Sequence, residues 1–107
     1  MRFMIVATAI VTAALSTAAL AADATLTIKN HKFDPAELTV PANEKITLTV
    51  KNEDATPAEF ESHDLKREKV IKGGKSALIK LGPLKPGEYK FFEEFHEKDA
   101  QGVLIAK

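Results

Sequence analysis

The sequence predicts an all-β domain, an antiparallel sandwich or barrel. Short segments in which apolar and polar residues alternate recur along the chain, as at Ile46, Leu48 and Val50 with polar residues between them. Turn-forming residues separate these segments, and no long stretch shows the period of an amphipathic helix. Many short strands at this spacing are typical of antiparallel sandwiches and barrels.

The alternating segments predict about eight strands. Pro86 followed by Gly87 favours a type II turn, because proline presets φ and glycine accepts a positive φ. The polar span 62–67 is expected to hold a helical turn or an irregular loop. The predicted strands cover residues 26–28, 38–40, 46–50, 58–61, 68–71, 76–81, 87–92 and 102–106.

The first residues are typical of an export signal. Arg2 precedes an apolar run over residues 3–20, which ends in the small-x-small pattern Ala19-Leu20-Ala21. We interpret residues 1–21 as a signal peptide cleaved after Ala21, leaving residues 22–107 as one small domain. The run is rich in Ala and Thr, which favours cleavage over retention as a membrane anchor.

Composition excludes several classes of function. The 15 basic and 15 acidic residues balance, so no nucleic-acid partner is indicated. The chain has no cysteine, so neither a disulfide nor a copper thiolate centre can form. No nucleophile motif and no glycine-rich phosphate loop occurs, which argues against hydrolases and transferases and leaves any catalytic residue unknown.

The segment 87–102 carries the pattern G-x-Y-x-F-x-E-x-x-H, and Gly102 with a hydrophobic segment follows it. It resembles the last hairpin of the cupredoxins, in which a copper-binding cysteine stands where this chain has Glu93. Residues 33–42 resemble the family's F-x-P-x-x-[IL]-x-V-x-A opening strand. The resemblance implies a Greek-key β-sandwich of cupredoxin type. It also implies that Ala58 replaces the first histidine ligand, that Gln101 is nearest to the axial position, and that His96 survives.

A carboxylate in place of the thiolate replaces a soft site by a harder oxygen and nitrogen site, so type 1 blue copper is not expected. The acidic run Glu59-Phe60-Glu61 is similar to that of cupredoxin-like domains from bacterial periplasmic iron-uptake systems, which accompany an iron permease. This resemblance implies a periplasmic protein that binds iron or copper. It further implies that the protein oxidises iron or delivers it to a membrane permease or another uptake component.

Two acidic, histidine-containing clusters supply candidate metal ligands, one within residues 59–64 and the other within residues 93–99. Only a fold that brings the two clusters together makes a metal site of them. Glu93 and His96 are the strongest candidates, because they occupy site positions of the resemblance. If Phe60 points into the core, Glu59 and Glu61 share the opposite face, as a separate surface site or merely a polar face. The full set of predicted metal ligands is Glu93, His96, Glu59, Glu61, His63 and Asp99.

The remaining charged residues of the clusters are expected to be solvated surface: Glu94, Glu97 and Asp64. His31 is expected to be an exposed histidine at a strand end.

The sequence therefore favours a periplasmic, cupredoxin-like, metal-binding protein that assists iron uptake, and it leaves an accessory ferroxidase activity open. The alternative is a periplasmic copper-binding or copper-handling protein without redox activity. A third possibility is a metal-free sandwich that acts only as an interaction module.

Overall fold

The computed structural model describes residues 21–107, which form two β-sheets packed face to face. The predicted signal peptide lies almost entirely outside the described residues and stays a prediction. Among the described residues, no helix is long and apolar enough to cross a membrane.

Nine strands and one turn of 3-10 helix make up the described chain. The first sheet has the order β2-β1-β4-β7, and the second has the order β3-β9-β8-β5-β6. The strands of the first sheet are β1 (Ala21–Lys29), β2 (Lys32–Asp34), β4 (Lys45–Asn52) and β7 (Ser76–Leu81). Those of the second are β3 (Glu37–Val40), β5 (Ala58–Ser62), β6 (Arg67–Ile71), β8 (Gly87–Glu93) and β9 (Gln101–Ala106).

The predicted β-sandwich is confirmed, and each predicted strand overlaps an observed one. The additional strand, β2, has only three residues and carries too short a pattern to be predicted. Both sheets are mixed: β1 pairs with β4 and β3 pairs with β9 in parallel, and the other pairs are antiparallel. Alternation within a strand encodes which face is buried, but it does not encode the direction of the neighbouring strand.

The core lies between the sheets and follows the period of two. In β4, Ile46, Leu48 and Val50 are buried, while the residues between them are more exposed. Three phenylalanines meet across the core, with ring centroids 4.8 Å apart for Phe33 and Phe91 and 5.4 Å apart for Phe60 and Phe91. The Phe33 and Phe91 rings pack edge to face, an arrangement that adds about 0.5–1.5 kcal/mol beyond the burial of area.

Pairing of β5 with β8 sets the position of the candidate ligands. Phe60 stands opposite Glu93, and Glu61 stands opposite Phe92. Because Phe60 is fully buried, Glu59 and Glu61 share the outer face of β5. The 3-10 turn Glu94–His96 follows β8 directly, so its side chains lie beside the start of β5.

The turn between β1 and β2 is held by Asp54. Asn30 and His31 adopt left-handed conformations, with φ of 53° and 56°. Their backbone N–H groups donate to the carboxylate of Asp54 at 2.7 and 3.0 Å. These two hydrogen bonds fix the place of the His31 side chain at one end of the sandwich.

Gly102 allows β8 and β9 to approach closely. A Cβ atom at this position would lie 2.4 Å from the Phe91 ring and 2.8 Å from the carbonyl oxygen of Ala36. Such separations require the buried ring or the backbone to move. The glycine in the sequence pattern is therefore a packing requirement of the hairpin.

We expect Gly102→Ala to lower the free energy of unfolding by about 1–3 kcal/mol, because it overpacks the core against Phe91. Urea unfolding followed by circular dichroism measures the loss. Gly74→Asn is a matched control, since Gly74 has φ of 72° with open space around it and asparagine tolerates this conformation. A Gly102→Ala protein as stable as the control would contradict the proposed packing.

Candidate metal centre

Glu93 is a buried carboxylate that joins three parts of the chain. It is 0% exposed. Its Oε1 accepts the backbone N–H of Glu59 at 2.8 Å and that of Phe95 at 3.1 Å. Its Oε2 lies 2.6 Å from Nδ1 of His96. We assign the Nδ1–H tautomer to His96, because this nitrogen faces a carboxylate oxygen, which accepts hydrogen bonds.

These contacts suit a structural role for Glu93, which holds its neighbours in place, better than the role of a metal ligand. Both of its oxygens already have donors, and its side chain is closed to solvent. The hydrogen bond from the backbone of Glu59 joins the start of β5, where Ala58 lies, to Glu93. Ala58 has no donor atom and the chain has no cysteine, so these residues do not fit a type 1 copper ion.

Three other carboxylates converge on the outer face of β5. Glu59, Glu61 and Glu94 each offer an oxygen within 4.8 Å of the other two. Glu59 is 9% exposed, and Oε2 of Glu61 is buried with no hydrogen-bond donor among the described residues. Buried carboxylate oxygens normally have a partner. The cluster thus gathers three acidic groups, and no basic side chain in the described part of the chain forms a salt bridge with them.

Crowding changes the acidity of these groups. The pKa of Glu61 rises to about 7, first because it can share a proton with Glu94, and then because of burial and the negative charges of Glu94 and Glu68. The nearby His63 acts in the opposite direction. Burial raises the pKa of Glu59, and contact with Glu94 raises it further. Near neutral pH the cluster therefore holds a proton or needs a cation.

His96 faces a second imidazole that the sequence did not associate with the site. The rings of His31 and His96 stack with their centroids 3.7 Å apart and their planes 19° apart. Nδ1 of His31 lies 3.6 Å from Oδ2 of Asp54. Nothing in the local pattern around His31 indicates this contact, because the turn after β1 and the turn after β8 meet only in the folded chain.

The other predicted ligands belong neither to the carboxylate cluster nor to the pair of histidines, although His63 lies near Glu61. The His63 ring lies against Phe92 at a centroid distance of 5.5 Å and lines a surface groove of about 460 Å³. Asp99 is exposed, and its backbone N–H donates to the carbonyl of His96. Gln101 donates from its side chain to the carbonyl of Glu97. Glu94 is exposed, as expected of a solvated surface residue, and its carboxylate also lies within 4.8 Å of those of Glu59 and Glu61.

We expect Glu93→Ala to destabilise the fold by about 2–4 kcal/mol, because it leaves two backbone N–H groups and the His96 ring without their charged acceptor. Thermal and urea unfolding measure the loss. Glu97→Ala, an exposed change in the same turn, should stay within about 0.5 kcal/mol of the wild type. Equal stability of the two variants would show that Glu93 does not organise this end of the sandwich.

We expect the metal-free protein to lose stability as pH rises from about 4.5 to about 7. In this interval the folded chain keeps a proton on Glu61, whose pKa is about 7. In the unfolded chain the pKa of this group is near 4.5, so the proton has been lost. Urea unfolding at several pH values measures the slope. Glu61→Gln should make the slope shallower, and an unchanged slope would contradict the crowding of the carboxylates.

Comparison with known proteins agrees with the architecture. The family model described as "Cupredoxin-like domain" matches residues 2–106. An uncharacterized protein of Rickettsia prowazekii (strain Madrid E) is 49% identical over 80 residues, which are 75% of this chain and 64% of that protein. The chain thus spans somewhat less than two thirds of this relative's length.

Solved structures share the fold at low sequence identity. Auracyanin A, a "blue" copper protein from Chloroflexus aurantiacus, has a TM-score of 0.70 at 16% identity, covering 81% of this chain and 99% of its own. A purple cupredoxin from Nitrosopumilus maritimus has a TM-score of 0.63 at 20% identity, and the match covers 79% of this chain and 100% of that protein. The resemblance inferred from the sequence is confirmed at the level of the fold.

Proposed function

Because the chain belongs to the cupredoxin-like domain family, we propose that it is a metal-binding protein that has replaced a thiolate copper centre by a carboxylate site for iron. The observation that carries this proposal is the cluster of Glu59, Glu61 and Glu94, with oxygens within 4.8 Å of one another. Iron is the cargo of this site rather than a resident cofactor.

The donor set fits a hard cation. Three carboxylate oxygens converge, and Oε2 of Glu61 has no hydrogen-bond donor within residues 21–107. Hard cations prefer oxygen ligands, and a cation would relieve the repulsion that raises the pKa of Glu61. Donor chemistry alone would also accept Mn²⁺ or Ca²⁺. The choice of iron rests on the resemblance of the acidic run 59–61 to domains of iron-uptake systems.

The cluster's position suits transfer of the ion. It lies on the outer face of an edge region of the second sheet, where Glu94 is exposed and Glu61 is partly exposed. An ion held there can leave without unfolding of the core. We propose that the exported protein works in the periplasm and passes iron to a membrane permease or another uptake component.

A copper-handling role is the second candidate, and one observation favours it. His96 presents an imidazole whose Nδ1 is held by Glu93, which leaves Nε2 available to a metal. Several structural relatives are copper proteins by their titles. In this role the absence of cysteine restricts the chain to copper binding without a blue centre.

We expect anaerobic calorimetric titration with Fe(II) at neutral pH to show one bound ion, with Glu61→Gln weakening the affinity at least about tenfold. Glu59→Gln and Glu94→Gln should act in the same direction. Glu97→Gln removes an equal charge from the same turn and serves as the matched control.

Three outcomes would contradict the proposal. Equal Fe(II) affinity in the Glu61→Gln and Glu97→Gln proteins would show that the ion binds outside the carboxylate cluster. Preference for Mn²⁺ or Ca²⁺ over Fe(II) would remove iron as the cargo. No binding of any of these ions would favour the metal-free interaction module.

A further inference from the structure

Two imidazoles from separate turns face each other at the end of the sandwich that also holds Glu93. His31 belongs to the turn between β1 and β2, and His96 closes the 3-10 turn after β8. We propose that His31 and His96 together form a nitrogen-donor site for a borderline divalent cation, with Cu(II) as the ion it binds most tightly. This site is separate from the carboxylate cluster and does not depend on the proposed iron site.

His96 is already arranged as a metal ligand. Its Nδ1 donates to Oε2 of Glu93 at 2.6 Å, and Glu93 is itself fixed by two backbone N–H groups. A carboxylate on one ring nitrogen fixes the tautomer and makes the other nitrogen a stronger ligand. The His96 side chain is 32% exposed, so a dissolved ion can reach Nε2.

His31 repeats this arrangement in a looser form. Its Nδ1 lies 3.6 Å from Oδ2 of Asp54. The backbone N–H groups of Asn30 and His31 donate to the Asp54 carboxylate and hold it beside the ring, although the ring itself makes no hydrogen bond to it. The His31 side chain is 42% exposed. Both imidazoles are thus backed by a carboxylate on the Nδ1 side and are open to solvent.

Binding of one ion by both imidazoles requires the two rings to leave their stacked arrangement. Two histidine nitrogens, each about 2.0–2.1 Å from a metal at near-tetrahedral angles, lie roughly 3.3 Å apart. The ring centroids are 3.7 Å apart. The stacked rings must tilt for both nitrogens to point at one ion. His31 can make this movement, because it is the more exposed ring and its contact with Asp54 is long.

The donor chemistry separates this site from the neighbouring carboxylates. Imidazole nitrogen suits copper and zinc, whereas the cluster of Glu59, Glu61 and Glu94 offers only oxygen. His31 also matches none of the four copper-ligand positions of the sequence pattern. The pair therefore combines His96, which occupies a position of the copper-ligand pattern, with a histidine from the turn after β1 that the pattern does not contain.

Electron paramagnetic resonance of the untagged, purified protein with one equivalent of Cu(II) tests the proposal, because hyperfine coupling counts the coordinated nitrogens. We expect two imidazole nitrogens in the wild type and one in His31→Asn, with the Cu(II) affinity of the variant reduced at least about tenfold. Asparagine is the chosen replacement because position 31 has φ of 56°, a conformation that asparagine tolerates.

His63→Asn is the matched control, since it removes a histidine that lies in neither group, and it should keep both couplings. The unmodified protein gives a second measurement that does not depend on the folding of a variant: Zn(II) should shift the ring ¹⁵N resonances of His31 and His96 together. Unchanged nitrogen count and affinity in His31→Asn would overturn the proposal. So would a wild-type spectrum with fewer than two nitrogens, or a Zn(II) shift confined to one ring.

Discussion

The buried carboxylate of Glu93 is the constraint on which the rest of the site depends. Removing a charge from water costs several kcal/mol unless hydrogen bonds replace the solvent. Here backbone groups of Glu59 and Phe95 and the ring of His96 supply those bonds. One side chain thereby fixes the start of β5, the 3-10 turn and the tautomer of the exposed histidine.

Two chemically different sets of possible metal-ligand atoms lie on either side of Glu93. On one side, Glu94 follows Glu93 directly and meets Glu59 and Glu61, which gives an oxygen-only cluster with too much negative charge. On the other side, His96 projects toward His31 and gives a nitrogen pair. Glu93 thus acts as a structural group at the position where the copper-ligand pattern has a cysteine, and the two proposed metal sites lie on either side of it. The two sets share no side chain, so the two proposed sites differ in donor type, oxygen in one and nitrogen in the other.

Much of the fold was predictable because alternation records which face of a strand is buried. The strands, the sandwich and the outward direction of Glu59 and Glu61 all follow from this period, as the buried Phe60 shows. The short strand β2 was missed, and so were the two parallel pairings, because neither leaves a periodic signal. The ligand roles of Glu93, His96, His63 and Asp99 remain predictions, although the structure gives Glu93 three donors and places His63 and Asp99 outside both groups.

By itself, the sequence excluded a thiolate copper centre, because the chain has no cysteine. It also determined which face of each strand is buried, because apolar residues alternate with polar ones. Only the tertiary structure decided which ligands meet. Glu94 joins Glu59 and Glu61 because β5 and β8 pair in a register that sets Phe60 opposite Glu93. His31 reaches His96 because Asp54 holds a left-handed turn at the same end of the sandwich. Such contacts depend on strand register and turn geometry, which couple residues far apart in the chain and leave no local pattern.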